Sequence, residues 1–170
     1  MTDGLVLDAS AALAIIRREA AREFVLRILR ERTGESEIFV PGHFWLEIVN
    51  VLGLRYRHPP SRVVADIQDL DEFGVRTVEI DRPLLLLAID RVASFGLAAY
   101  DAIYLALAEA LDASLLTLDV RLMAAAGPRA LRVGPRRLSE EPTPYGSDPS
   151  EVWAEYGTYL AELRRQALAG

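Results

Sequence analysis

Short apolar runs of strand length recur along the chain, and each is followed by a longer stretch in which apolar residues return at helical spacing. Gly4 to Leu7, Glu37 to Val40, Val75 to Ile80 and Ser114 to Leu118 read as strands, with Ala130 to Val133 as a candidate fifth. Between them, an alanine-rich stretch after Asp8 carries Leu13, Ile15 and Ile16, and Ala20 to Arg32 carries Phe24, Val25, Ile28 and Leu29 at helical intervals. His43 to Leu54 is apolar but too long for a strand, so it is expected to be a buried helix. Further helices are expected after a Ser61 cap, with Val63, Val64, Ile67 and Leu70, and after an Asp81 cap, with Pro83 just inside the start and Gly96 beyond the end. The last two run from near Tyr100 to about Asp112 and from Arg121 to Ala126. Such alternation predicts an α/β fold, with a central parallel sheet of four to five strands flanked by helices.

The chain has 170 residues, of which 51% are hydrophobic, enough for one core and too few for two comfortable ones. Residues 134–150 contain Pro135, Pro142, Pro144, Gly146 and Pro149, a composition for a linker or a wrapping arm. Beyond it, Asp148 to Glu151 resembles a capping box, and Val152, Tyr156, Tyr159, Leu160 and Leu163 share one helical face. The expected organisation is therefore a domain over residues 1–138, with 139–170 forming a linker and a C-terminal amphipathic helix of the same domain. Trp153, Tyr156 and Tyr159 give that helix large anchors for packing on its own chain or in a dimer.

Composition removes several chemistries. No apolar run approaches the roughly 20 residues that span a bilayer, and the N-terminus lacks a basic segment followed by an apolar one, so a cytoplasmic protein is expected. There is no cysteine, which excludes disulfides, thiolate metal sites and thiol nucleophiles, and leaves His43 and His58 as the available imidazoles. All 19 basic residues are arginine, so no P-loop lysine, Schiff base or lysine general base exists. The net charge of −6 opposes long-range attraction to a polyanion, so a nuclease built on this chain needs divalent cations or a local arginine patch. Arg17, Arg18, Arg22, Arg55, Arg57 and Arg62 are candidates for such a rim.

Four carboxylates stand where that chemistry is needed. In a parallel sheet, ligands bind outside the carboxyl ends of the strands, and Asp8 and Asp119 each follow a strand. Asp101 opens a helix at the same edge, and Glu47 is surrounded in sequence by Phe44, Trp45, Leu46, Ile48 and Val49, which draw its helix into the core. Singly, each aspartate reads as a helix cap or turn residue, and Glu47 as one member of a polar strip with Asn50. Together they form an acidic cleft whose mutual repulsion a hard cation such as Mg²⁺ or Mn²⁺ would relieve through all-oxygen coordination, a site suited to phosphodiester hydrolysis.

In order along the chain, Val6-Leu7-Asp8-Ala9-Ser10, Glu47, Gly96 to Ala108 with Tyr100-Asp101-Ala102 at its centre, and Leu115-Leu116-Thr117-Leu118-Asp119 resemble the signatures of the PIN-domain family. The likeness is greatest to VapC-type toxin ribonucleases of type II toxin–antitoxin systems, and it covers about residues 4 to 133. The resemblance implies a PIN-like fold and a metal-dependent endoribonuclease with Asp8, Glu47, Asp101 and Asp119 as catalytic, metal-binding carboxylates. Ser10 and Thr117 would be hydrogen-bonding neighbours of metal or phosphate. It also implies Mg²⁺ or Mn²⁺ as cofactor, single-stranded or loop RNA as substrate, a homodimer, and a cognate antitoxin as partner. Residues 139–170 depart from the family pattern. The competing readings are a PIN-like protein-binding module without catalysis and a non-toxin RNA-processing nuclease. A haloacid-dehalogenase-type phosphatase is opposed by Ser10, two positions after Asp8, and by the absence of lysine.

Overall fold

A computed structural model describes residues 4–32 and 37–132. Four strands form one parallel sheet: β1 (Leu5–Leu7), β2 (Ile38–Pro41), β3 (Val75–Val78) and β4 (Ser114–Leu116), in the order β3-β2-β1-β4. Leu5 sits opposite Ile38 on one side and Ser114 on the other, and Ile38 sits opposite Val75. The three residues of β1 are fully buried, as a central strand covered on both faces requires. The candidate fifth strand is reduced, among the described residues, to one parallel bridge between Ala130 and Leu115, reinforced by Leu131 N donating to Leu115 O at 2.9 Å. A 3₁₀ turn at Gly127–Arg129 delivers the chain to the free edge of β4 there.

The helices are α1 (Ala9–Ile16), α2 (Arg22–Arg32), α3 (Phe44–Val49), α4 (Pro60–Asp71), α5 (Arg82–Phe95), α6 (Ala99–Ala110) and α7 (Val120–Ala126). The stretch expected as one helix over 43–54 is helical but changes pitch: α3 gives way to a π-helical segment at Asn50–Arg55, where Tyr56 N reaches Val51 O at 3.0 Å. Ser61 does not cap α4. Pro59 is held extended by the proline that follows it, and Pro60, with its preset φ, opens the helix without a side-chain cap. Asp81 caps α5 as expected, accepting from Leu84 N at 2.9 Å, and Gly96 at φ 64° stops it in the left-handed region that suits glycine.

Every residue of α6 from Ala102 to Ala108 is buried, which makes it the central helix of the core. Alanines around its circumference allow neighbouring elements to approach, while Ile103, Tyr104, Leu105 and Leu107 fill the space between them. No single described helix is long and apolar enough to cross a membrane. The expected C-terminal helix and the boundary at 138/139 lie outside the described residues.

Candidate active site

The connections from β1 to β2 to β3 move outward in one direction, and the chain then returns to place β4 on the other side of β1. Crossovers on opposite sides of adjacent strands leave a crevice at their carboxyl ends, so the open edge lies beyond β1 and β4. Asp8 leaves β1 at that edge, tied to β4 by its own N donating to Leu116 O at 3.0 Å, and Thr117 to Asp119 leave β4 beside it.

Hydroxyls organise this pair of strand ends. Thr117 Oγ1 donates to Asp8 Oδ2 at 2.7 Å, and Ser10 Oγ donates to the same oxygen. Ser10 Oγ in turn accepts from Leu118 N at 3.0 Å, while Thr117 Oγ1 accepts from Asp119 N at 3.0 Å. Asp119 Oδ1 caps α7 by accepting from Leu122 N at 2.7 Å. Both hydroxyls claim Oδ2 of Asp8 and leave Oδ1 out of these bonds. Ser10 and Thr117 thus bond to a carboxylate of the cleft, which makes them its supports as well as its neighbours.

Glu47, on α3, is buried, and its Oε2 accepts from the phenol of Tyr104 at 2.5 Å. His43 Nε2 lies 3.9 Å from the same oxygen. Burial lowers His43 to about 4, so the imidazole is neutral near pH 7 and supplies no countercharge. Glu47 is therefore a buried carboxylate supported by a neutral hydroxyl, an arrangement that is costly without a cation.

Repulsive charge interactions link all four predicted carboxylates, Asp8 to Asp119, Asp101 to both, and Glu47 to Asp8 and Asp101. Burial, then the charges of Asp8 and Asp119, push Asp101 up to about 7, while Arg121 pulls it back. Burial, then Asp8, push Glu47 well above the usual carboxylate range; the Tyr104 bond opposes this, and Asp101 adds to it. Asp8 is raised by burial, eased by the Ser10 and Thr117 bonds, and raised again by Asp119. Mutual elevation of this kind marks a cluster of like charges in a desolvated place. The oxygen donors suit a hard divalent cation in kind, although among the described residues no three His, Asp or Glu side chains form a ready metal-holding group.

A PIN-domain family model matches residues 5–128. The chain belongs to the PIN-domain family. All four carboxylates, with Ser10 and Thr117, fall inside the matched span of the PIN domain. The fold is similar to Mycobacterium tuberculosis VapC20, a sarcin-ricin loop cleaving toxin, with a TM-score of 0.62 and 17% identity over 76% of this chain and 99% of that one. It is also similar to VapBC2 from Rickettsia felis, solved bound to a DNA fragment from their promoter, with a TM-score of 0.59 and 11% identity over 75% of this chain and 96% of that one. FitAcB from Neisseria gonorrhoeae matches with a TM-score of 0.57 and 18% identity, covering 75% of this chain and 96% of that one. None of the curated proteins matches the sequence.

Sequence reasoning missed two contributors to the PIN cleft. Tyr104 was not among the expected site residues, yet its position one turn after Asp101 on α6 was the available signal of a shared face. Arg121, two residues after Asp119, acts on Asp101 and donates to Gly96 O at 2.7 Å. Of the arginines expected to line a rim, Arg17 pairs with Glu19 and lies 4.3 Å over the Tyr56 ring, Arg22 pairs with Glu23 at 2.6 Å, and Arg62 pairs with Asp66 at 3.0 Å.

Proposed function

We propose that this PIN domain is a metal-dependent endoribonuclease that hydrolyses phosphodiester bonds in single-stranded or loop RNA, acting as the toxin of a toxin–antitoxin pair. The observation that carries the reading is the cleft at the β1/β4 switch point, where burial and neighbouring carboxylate charge raise Asp8, Glu47 and Asp101 beside Asp119, in a chain without lysine.

Asp8, Glu47, Asp101 and Asp119 would hold Mg²⁺ or Mn²⁺. When bound, the cation supplies positive charge for the scissile phosphate and lowers the cost of deprotonating water. Asp8 is held at a fixed strand end by the hydroxyls of Ser10 and Thr117. Glu47 closes the cleft from α3, and Asp101 brings the start of α6 to it. Burial and the charges of Asp8 and Asp119 push Asp101 up to about 7 in the metal-free cleft, and a bound cation would favour its charged form. Arg121 is exposed at the edge of the cleft and adds a fixed positive charge for a phosphate. The reaction adds water across one P–O ester bond, which breaks to leave a hydroxyl on one fragment and a phosphate on the other.

Two features support the partner assignments. Structures with this fold include toxin–antitoxin complexes, such as one from Klebsiella pneumoniae, which supports a cognate antitoxin. Leu85, Leu86, Ile89, Val92 and Phe95 of α5 are exposed large apolar residues, which supports a homodimer through that helix. A cytoplasmic site of action accords with a substrate of cellular RNA.

The test is cleavage of a mixed single-stranded RNA pool by the purified chain with Mg²⁺, Mn²⁺ or EDTA, alongside Asp101→Asn. Metal-dependent cleavage that the variant lacks is the expected outcome. Folded wild-type protein that leaves the pool intact in both metals would favour the reading as a binding module.

A further inference from the structure

Each of the two innermost carboxylates has one oxygen committed to protein hydroxyls. For Asp8 the hydroxyls are Ser10 and Thr117, adjacent to the strand ends; for Glu47 the donor comes from another element, 57 residues away in sequence. Tyr104 is fully buried, and its ring packs edge-on against His43 with centroids 4.8 Å apart. His43 itself is one turn before Glu47 on the same side of α3, 3.9 Å from Glu47 Oε2. The phenol is therefore wedged between α6 and α3, with its oxygen aimed at one atom of one carboxylate.

We propose that Tyr104 is a positioning residue for the active site: by claiming Glu47 Oε2 it fixes the rotamer of the carboxylate and presents Oε1 to the cleft as a single-oxygen ligand for a divalent cation. This rests on the metal-dependent reading of the cleft. Helix α6 then serves the site twice from positions three residues apart, directly through Asp101 and through Glu47 by way of Tyr104. The ring of His43 packs against the phenol from the side of α3. A phenol suits the task better than a cation at this place, because an arginine or lysine would neutralise Glu47 and weaken its hold on a metal ion. Groups that orient metal ligands in this way commonly contribute 10- to 100-fold to metal affinity or activity.

The test is Mn²⁺ titration of the full chain, followed by calorimetry and by the signal of free Mn²⁺ in electron paramagnetic resonance, for wild type, Tyr104→Phe, Glu47→Gln and the double variant. Tyr104→Phe keeps the ring and removes one oxygen. It is expected to bind Mn²⁺ about 10-fold or more weakly, with kcat lowered and the KM for RNA little changed. In the Glu47→Gln background, adding Tyr104→Phe is expected to change nothing further, since the phenol acts through that carboxylate. If the single Phe variant fails to fold, the comparison of Glu47→Gln with the double variant remains, because the buried charge that needs the phenol is then absent. Wild-type affinity in folded Tyr104→Phe, or a further loss in the Gln background, overturns the proposal and leaves the nuclease reading standing. A wild-type chain that binds no Mn²⁺ overturns both.

Discussion

Burying Asp101 beside the charges of Asp8 and Asp119 sets the sign of the pH dependence of the metal-free fold. An unfolded Asp101 releases its proton near 3.8, whereas the folded protein retains it to about 7. Across that window the folded state binds more protons than the unfolded one, so stability falls as pH rises from about 4 to about 7 and levels off above. Asp8 and Glu47 are raised in the same direction and steepen the fall. One pKa unit corresponds to about 1.4 kcal/mol, so the loss for Asp101, reduced by its partial exposure, is on the order of a few kcal/mol. In EDTA the urea midpoint is expected to be higher at pH 5 than at pH 7.5, and Asp101→Asn is expected to flatten that difference while abolishing cleavage. An unchanged slope in the variant would remove Asp101 from the cluster. Thr117→Val has the opposite effect on the fold. It preserves shape but takes one of two hydroxyl donors from Asp8 Oδ2, leaving Ser10, and strands the Asp119 N–H, which Thr117 bonds at 3.0 Å, and is expected to destabilise by about 1–3 kcal/mol in denaturant unfolding. A neutral result would mean that the hydroxyl bonds contribute nothing net.

The carboxylates were legible because a charged residue at a strand end, or inside an apolar helix, contradicts its surroundings. Tyr104 was not, because a tyrosine among alanines and leucines agrees with the core around it, and its partner lies on another helix. The same contrast holds for whole elements. Asp81, Pro83 and Gly96 punctuate α5 with residues whose local chemistry forces a start and a stop, and its bounds came out close to expectation. The π-helical turn at Asn50–Arg55 has no comparable local marker, since hydrogen bonds five residues apart arise from packing rather than from a signature residue. Strand ends were read too long for β3 and β4, because apolar residues that continue past the last ladder bond look the same in sequence. Asp81→Ala removes a cap without touching the cleft. It is expected to cost about 1 kcal/mol, or a fall of about 2–4 °C in Tm for a domain of this size, with RNA cleavage at the permissive temperature unchanged. Lost cleavage in the folded variant would show that α5 communicates with the site.

At the scale of the molecule, α5 presents an exposed apolar surface. The run Leu84 to Leu87 looks like core in sequence, but a helix shows only part of its circumference to the sheet, and Leu84 and Ala88 are the buried members. Leu86 is 57% exposed and Ile89 56%, and Leu85, Val92 and Phe95 extend the same apolar surface. A two-fold dimer would cover this surface with its own copy, since an isologous contact needs only one self-complementary patch. Ile89→Glu places two like charges near that axis and costs little in an exposed monomer. Light scattering is expected to give a dimer mass for wild type and a monomer mass for the variant. The four carboxylates come from one chain, so the monomeric variant is expected to retain Mn²⁺ binding even if its RNA affinity falls. Equal masses for the two proteins would remove α5 from the interface, and loss of Mn²⁺ binding on dissociation would show that the cleft depends on its neighbour.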